Sequence, residues 1–336
     1  MSVLHVAPAP HILSRALTTR RMMLDVLIGL FPVMLASVLV FREYALIQAG
    51  ICVASCLAVE AMLTRLRGRK ASIGDGSAVV TGLILAFSLP ATAPWYVGVI
   101  GSAAAMGLGK FIFGGLGQNV FNPAMVGRAF AMMAFPALLA AGIGGYVNPS
   151  ADVAIVTHAT PMTAVRGGEI TPLKDLFLGT TNGSLGETSA LACLIGGLYL
   201  CLRRTASWEI PLGVILAAAI IGGAVNLAHP QDQWTVLHHL LGGALLLGAF
   251  FIATDPVTSP LTPKGKFIFG LMVGGLVMLL RKLSVYPEGV MFSILIANPI
   301  VPLINRWTIP KPVGGPTPAP EEGAVIGPEP METQRP

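Results

Sequence analysis

Residues 22–41 read MMLDVLIGLFPVMLASVLVF, an apolar run in which Asp25 carries the one charge. Its length matches the ~20 residues that a helix needs to cross the hydrocarbon core of a bilayer. The whole chain of 336 residues is 54% hydrophobic and 11% charged, with a mean hydropathy of +0.75. A soluble domain carries roughly 25% charged residues, so the composition excludes a soluble globular protein. It predicts an all-α, polytopic membrane protein.

The chain contains about ten apolar segments of spanning or near-spanning length. Several are short or interrupted by Gly and Pro, which in transporter-like folds indicates helices broken around a buried site. We therefore expect about ten transmembrane helices, some of them broken. The predicted segments are 22–41, 44–63, 77–89, 96–108, 126–147, 188–202, 210–228, 237–254, 267–280 and 288–303.

The net charge of +5 is distributed in short basic clusters between these segments. No basic stripe with interleaved aromatics is present, so the surplus of positive charge does not predict nucleic-acid binding.

The basic clusters instead indicate the topology. Loops rich in Lys and Arg face the cytoplasm, which places both termini there and the loop at 149–187 outside. Residues 1–21 lack the apolar core of a signal peptide. Arg281 and Lys282 fall on the outer side of this topology, and we interpret them as snorkelling to the interface.

Matching Asn-Pro blocks occur in the two halves of the chain. Asn122-Pro123 is followed by Arg128, and Asn298-Pro299 is followed by Arg306. Five spans in each half would make the halves antiparallel, so the matched blocks favour two inverted five-helix repeats with a site at their interface. A helix start with an Asn cap is the alternative interpretation of each block.

Acidic side chains at membrane depth are costly and therefore indicate function. Glu60 and Asp255 are of this kind. The four Cys and the His238-His239 pair lack the spacing of metal ligands, so no metal site is predicted. Together, the apolar segments, the charge clusters and the matched blocks divide the chain into five regions. They are a cytoplasmic N-terminal segment at 1–21, a first five-helix repeat at 22–148, an extracytoplasmic loop at 149–187, a second five-helix repeat at 188–307 and a Pro-rich, disordered cytoplasmic tail at 308–336.

The long outer loop contains the sequence Thr157-His158-Ala159-Thr160-Pro161. Long loops between otherwise short connections tend to be functional. The Thr160 hydroxyl follows a small residue, and the Pro after it favours an extended backbone that an enzyme can reach. As a pattern of residue types alone, Ser/Thr-x-Ala-Thr is weak.

Several ordered blocks give the chain a specific resemblance to a known family, over about His11 to Trp307. The blocks are DGS at 75–77, TGL at 81–83, LP at 89–90, FNPAMVG at 121–127, THATP at 157–161, ATDPVTSP at 253–260, NP at 298–299 and PLI at 302–304. Through them the sequence resembles the D subunits of Rnf-type ion-translocating ferredoxin:NAD oxidoreductases, which are similar to the B subunits of Na⁺-pumping NADH:quinone reductases.

The resemblance implies two flavins. One is an FMN joined through its phosphate to the Thr160 hydroxyl by a flavin transferase that recognises a motif including Thr157 and Ala159; this sequence has His158 where the family often has Gly. The other is a non-covalent riboflavin within the membrane part. The candidate residues for that site are Asn122, Asn298, Arg128 and Asp255.

The resemblance also implies a place in a complex. The chain is expected to be an electron-transfer subunit in the bacterial inner membrane, with a periplasmic flavin loop and little activity alone. The implied partners are the A and E subunits of the membrane part, the flavin-bearing G subunit, the soluble B and C subunits, and membrane lipid. The alternatives are a solute channel with a urea-channel-like inverted repeat and no flavin, and a structural anchor for redox partners.

Overall fold

Helices make up most of the described chain in a computed structural model. The structure describes residues 18–68, 73–139, 161, 170–181, 183–187, 189–229, 234–284 and 289–310. Within these residues, extended pairing is limited to one bridge, between Pro90 and Ser184. The predicted all-α class is therefore confirmed for the described part of the chain.

Helices occupy part of every predicted apolar segment. In chain order they are α1 (Thr19–Phe41), α2 (Glu43–Leu66), α3 (Ser77–Ser88), α4 (Trp95–Ala104), α5 (Pro123–Ala134), α6 (Pro136–Leu139), α7 (Leu173–Leu178), α8 (Ala190–Leu202), α9 (Glu209–Ala228), α10 (Val236–Leu241), α11 (Leu245–Leu247), α12 (Pro263–Leu283), α13 (Val290–Ala297) and α14 (Val301–Thr308).

Four of the described helical stretches are long and apolar enough to cross a membrane: α1, α2, α9 and the run Val290–Thr308. Helices α3 and α8 are shorter and apolar. The polytopic membrane class is thereby supported. A count of ten crossings, and their arrangement as two inverted repeats, stay predictions.

Large apolar side chains cover the outside of the long helices. Phe31 is 65% exposed, Leu39 73% and Leu227 85%. Exposed apolar patches of this kind are unfavourable in water, and lipid is the solvent that suits them. Polar side chains of the same bundle are turned inward: Gln48 and Glu60 on α2 are buried. This inside-out distribution is what a membrane-embedded bundle requires.

Three of the helix breaks in the described residues contain a π-helical or 3₁₀ turn, and Gly or Pro lies in each, as the Gly and Pro pattern predicts. Helix α4 runs into a π-helical turn at Ala105–Phe111, and α11 runs into a second one at Gly248–Ile252. Helices α13 and α14 are joined by a 3₁₀ turn at Asn298–Ile300. Pro299 lacks an N–H and cannot continue regular helical bonding. Each break leaves backbone groups that need other partners.

Arg281 corrects one sequence-based interpretation. Its side chain is buried, and it donates hydrogen bonds to the carbonyl oxygens of His239 at 2.6 Å and of Gly242 at 2.8 Å. The last carbonyls of a helix lack intrahelical partners, and Arg281 supplies donors to those at the end of α10. The prediction that Arg281 snorkels to the membrane interface is therefore wrong.

Helices α1 and α8 approach so closely that a side chain does not fit between them. A Cβ atom added at Gly196 would overlap the carbonyl oxygen of Gly29. Small residues at helix contacts are the usual route to close packing in membranes, where lipid offers no hydrophobic driving force between helices. Gly223 on α9, by contrast, has open space where a Cβ atom would lie.

We expect Gly196→Ala to lower the stability of the purified protein by roughly 1–3 kcal/mol, because the added methyl forces α1 and α8 apart. Gly223→Ala is the matched control and should leave stability unchanged or raise it slightly. Thermal unfolding in detergent, followed by size-exclusion chromatography, measures both. Equal melting temperatures for the two variants would contradict the close-packing interpretation.

Candidate functional site

The two Asn residues of the matched blocks are in direct contact. The backbone N–H of Asn122 donates to Oδ1 of Asn298 at 3.1 Å, although the residues are 176 positions apart. Nδ2 of Asn298 donates to the carbonyl oxygen of Thr258 at 3.2 Å. Both Asn side chains are buried. The structure thus joins the start of α5 to the break between α13 and α14.

Asn122 also reaches the second π-helical turn. Its Nδ2 donates to the carbonyl oxygen of Ile252 at 3.3 Å, and its Oδ1 accepts from the backbone N–H of Met125 at 3.3 Å. The second bond is an ordinary helix N-cap, the alternative interpretation of the block. Asn122 is therefore both a cap and a cross-link between three irregular backbone segments.

A cavity of about 80 Å³ opens beside this junction. Apolar side chains form much of its wall, including Met23, Val80, Ile84 and Phe251. Polar and charged side chains interrupt that wall; they are Ser77, Thr81, Lys110, Asn119, Asn122, Thr205, Thr254 and Asp255. A mostly apolar pocket with a few converging polar groups is the usual form of a small-molecule site.

Asp255 lies on the cavity wall, where its carboxylate is bound within its own turn. Oδ1 accepts from the backbone N–H of Val257 at 3.2 Å, and Oδ2 accepts from the hydroxyl of Thr258 at 3.1 Å. Thr258 in turn accepts from Asn298 through its carbonyl oxygen. The carboxylate thus orders the loop that the Asn junction holds.

Asn119 presents a polar atom without a partner. Its Nδ2 donates to the carbonyl oxygen of Phe121 at 3.2 Å. Its Oδ1 is buried and accepts no hydrogen bond from the described residues. A buried acceptor left unsatisfied costs roughly 1–3 kcal/mol, and Asn119 lies on the cavity wall. Asn119 is thus a residue of the cavity wall whose side chain has one acceptor to spare.

A buried ion pair stands on one side of the cavity. Nζ of Lys110 lies 2.6 Å from Oε1 of Glu60, and the side chains are 3% and 0% exposed. Nζ also donates to the Ser77 hydroxyl at 2.7 Å, and that hydroxyl donates to Oδ1 of Asp75 at 2.6 Å. The sequence pattern indicates Glu60 as an acid at membrane depth but does not single out Lys110, which falls just after a predicted segment.

Arg128 is placed differently from the other predicted residues. It is buried on α5 and does not belong to the cavity wall. Its charge interacts with that of Glu187, as does the charge of Arg281. Arg128 therefore does not line the cavity. Asn122 and Asp255 both line it, and Asn298 holds their segments through its hydrogen bonds to Asn122 and Thr258.

Three predicted residues, Thr157, Ala159 and Thr160, lie outside the described residues. The structure describes Pro161 and resumes at Ile170. Within the described residues, no group of three or more His, Cys, Asp and Glu side chains is arranged to hold a metal ion.

These features define a polytopic helical membrane protein with a small-molecule cavity at the junction of broken helices. Comparison with known families then places the chain. Residues 5–314 match the family described as NQR2, RnfD, RnfE, and the chain belongs to that family. The resemblance inferred from the ordered sequence blocks is thereby confirmed.

Similar proteins carry names that specify a complex. The chain is 41% identical over 313 residues to the D subunit of the Na(+)-translocating ferredoxin:NAD(+) oxidoreductase complex of Acetobacterium woodii, covering 91% of this chain and 93% of that protein. It is 36% identical over 325 residues to the D subunit of the proton-translocating ferredoxin:NAD(+) oxidoreductase complex of Clostridium ljungdahlii, covering 93% and 97%. These names describe parts of oxidoreductases and give the solute-channel alternative no support.

We expect Asn298→Ala to destabilise the protein by about 2 kcal/mol or more, because the Asn122 N–H and the Thr258 carbonyl lose their partner inside the bundle. Asn305→Ala is the control, since Asn305 accepts a hydrogen bond from Leu261 at an exposed position; its cost should be about 1 kcal/mol or less. Thermal unfolding in detergent compares them. A smaller loss for Asn298→Ala than for Asn305→Ala would argue against the junction as a stabilising contact.

Proposed function

We propose that the chain is the flavin-carrying, membrane electron-transfer subunit of an Rnf-type complex that couples electron transfer between ferredoxin and NAD to Na⁺ or H⁺ translocation. The observation that carries this proposal is the match to D subunits of such complexes over about nine-tenths of the chain. The cavity at the junction of the broken helices, mostly apolar with a few polar groups, supports it independently.

The identity of the transported ion does not follow from family membership. One relative is named for Na⁺ translocation and another for proton translocation, at 41% and 36% identity to this chain. Sequence similarity of this degree is therefore compatible with either ion.

In this proposal the loop at 149–187 carries the covalent flavin. Thr160 supplies the hydroxyl that forms a phosphoester with FMN, and Thr157 and Ala159 belong to the sequence that the flavin transferase recognises. A covalent tether suits a periplasmic loop, where a dissociated cofactor would be lost. The orientation rests on the positive-inside bias, with both termini cytoplasmic.

A non-covalent riboflavin is proposed for the cavity, because the chemical character of the residues on its wall suits such a group. An isoalloxazine ring combines an apolar edge with ring nitrogens and carbonyls, which matches apolar walls interrupted by Asn119, Thr254 and Lys110. When bound, the flavin supplies the capacity to accept and release electrons. Asn119 would offer the flavin a hydrogen-bond acceptor, and the apolar side chains would exclude water. Asn122 and Asn298 would hold the surrounding backbone in place.

The partners follow from the assignment. The nicotinamide and ferredoxin sites are proposed to belong to other subunits, so the isolated chain should catalyse little. Those partners are the A and E subunits of the membrane part, the flavin-bearing G subunit and the soluble B and C subunits, assembled at the bacterial inner membrane. Lipid covers the exposed apolar faces that no subunit covers.

Covalent flavin is tested on a denaturing gel. The chain co-expressed with the flavin transferase should give a fluorescent band, and Thr160→Ala should remove it, because the variant lacks the hydroxyl that forms the phosphoester. Thr157→Ala is the matched control: it keeps the acceptor hydroxyl and should retain a band, weakened by poorer recognition. A band of unchanged intensity in Thr160→Ala would move the acceptor to another residue.

Non-covalent flavin is tested by extraction. Protein purified in mild detergent should release riboflavin on acid precipitation, quantified by chromatography. Asn119→Ala should reduce the retained riboflavin roughly tenfold or more, because it removes a buried acceptor that the described residues leave unsatisfied. Asn305→Ala, which lies off the cavity wall, should leave the amount unchanged. Wild-type protein without extractable flavin would refute the cavity assignment.

A further inference from the structure

The Lys110–Glu60 pair lies inside the apolar bundle. Lys110 belongs to the π-helical turn after α4 and is 2% exposed, whereas Glu60 belongs to α2 and is 0% exposed. Bringing two charges to membrane depth is costly, and a buried ion pair is often no more stable than well-packed apolar residues of the same volume. Stability alone is therefore a weak reason for the pair. A π-helical turn is also frequent at functional sites.

The pair is oriented with respect to the cavity. Lys110 and its hydrogen-bond partner Ser77 line the cavity, while Glu60 is not part of the wall. Among the described residues of the wall, the other charged one is Asp255, whose two oxygens accept hydrogen bonds from Val257 and Thr258. The pair is neutral as a whole, but of its two residues it is Lys110, the positively charged one, that lines the cavity.

The ammonium is fixed in position from two sides. Glu60 holds it at 2.6 Å and the Ser77 hydroxyl at 2.7 Å. Ser77 is in turn oriented by Asp75, which accepts from its hydroxyl at 2.6 Å and from its backbone N–H at 2.7 Å. A charge held in place before the reaction needs no reorganisation when charge develops beside it.

We infer that Lys110 is a positioning residue for electron transfer, whose charge raises the electron affinity of the flavin in the cavity, with Glu60 and Ser77 holding the ammonium against the wall. This inference rests on the proposed function. A positive charge stabilises added negative charge most strongly where water is excluded. The electron comes from a one-electron donor on a partner subunit. No covalent bond to Lys110 is made or broken.

The test compares two variants that share one background. Thr160→Ala removes the proposed covalent FMN, so that only extractable flavin titrates. In that background, Glu60→Gln leaves the ammonium without its carboxylate, and Lys110→Gln with Glu60→Gln removes both charges. The difference in midpoint potential between these two variants measures the effect of the Lys110 charge. Because Glu60 is replaced in both, neither contains an unpaired, buried carboxylate. Lys266→Gln is the control, since Lys266 does not line the cavity.

The readout is the midpoint potential of the bound riboflavin, measured by dye-equilibrated spectrophotometric titration. Adding Lys110→Gln to Glu60→Gln should weaken electron binding roughly tenfold or more, which is about 59 mV for a one-electron couple. Glu60→Gln alone should shift the potential upward, and Lys266→Gln should leave it unchanged. If the double variant does not accumulate, Lys110→Gln alone takes its place, and it too should lower the midpoint potential of the bound flavin.

Two contrary results have different meanings. Bound flavin whose potential is the same with and without Glu60→Gln, or the same with and without Lys110→Gln, would overturn the role of Lys110 while leaving the proposed function in place. Absence of extractable flavin from the wild-type protein would overturn the cavity assignment and this inference with it.

Discussion

Backbone polar groups inside a bilayer have no water to bind, so every interrupted helix must find hydrogen-bond partners within the protein. This constraint shapes the centre of the molecule. Asn298 accepts from the Asn122 backbone and donates to Thr258, and Asn122 donates to the end of the π-helical turn at Ile252. Two amide side chains thereby satisfy groups from irregular segments far apart in sequence. The cavity lies beside these partnered breaks.

The charged side chains at depth follow the same rule. Glu60 is matched by Lys110, and Arg281 is matched by the carbonyls at the end of α10. Glu187 interacts electrostatically with Arg128 and Arg281. These buried charges have partners because an isolated ion is far too costly away from water. The difference between the ion pair and the Arg281 cap lies in location: Lys110 faces the cavity and Arg281 closes a helix end.

Some of the candidate site could be predicted from the sequence, because Asn-Pro pairs and an acidic residue in a broken helix are visible as local exceptions within apolar runs. Asn122, Asn298 and Asp255 are of this kind; the structure brings Asn122 and Asp255 onto the cavity wall and bonds Asn298 to the segments that carry them. Lys110 and Asn119 follow a predicted segment in a Gly-rich connecting stretch, where such residues are ordinary. Their importance comes from burial and from partners that no local pattern encodes.

The sequence by itself determined that the protein belongs in a membrane and is helical, because the length of the apolar segments and the scarcity of charge can be read directly from it. Ordered blocks of residues also determined the family. Only the tertiary structure decided which polar and charged residues come into contact. Asn122 contacts Asn298, Lys110 pairs with Glu60, and Arg281 is a buried cap. The physical reason is that a hydrogen bond or an ion pair depends on distances of about 3 Å, and residues 50 or 176 positions apart reach such distances only when the helices pack.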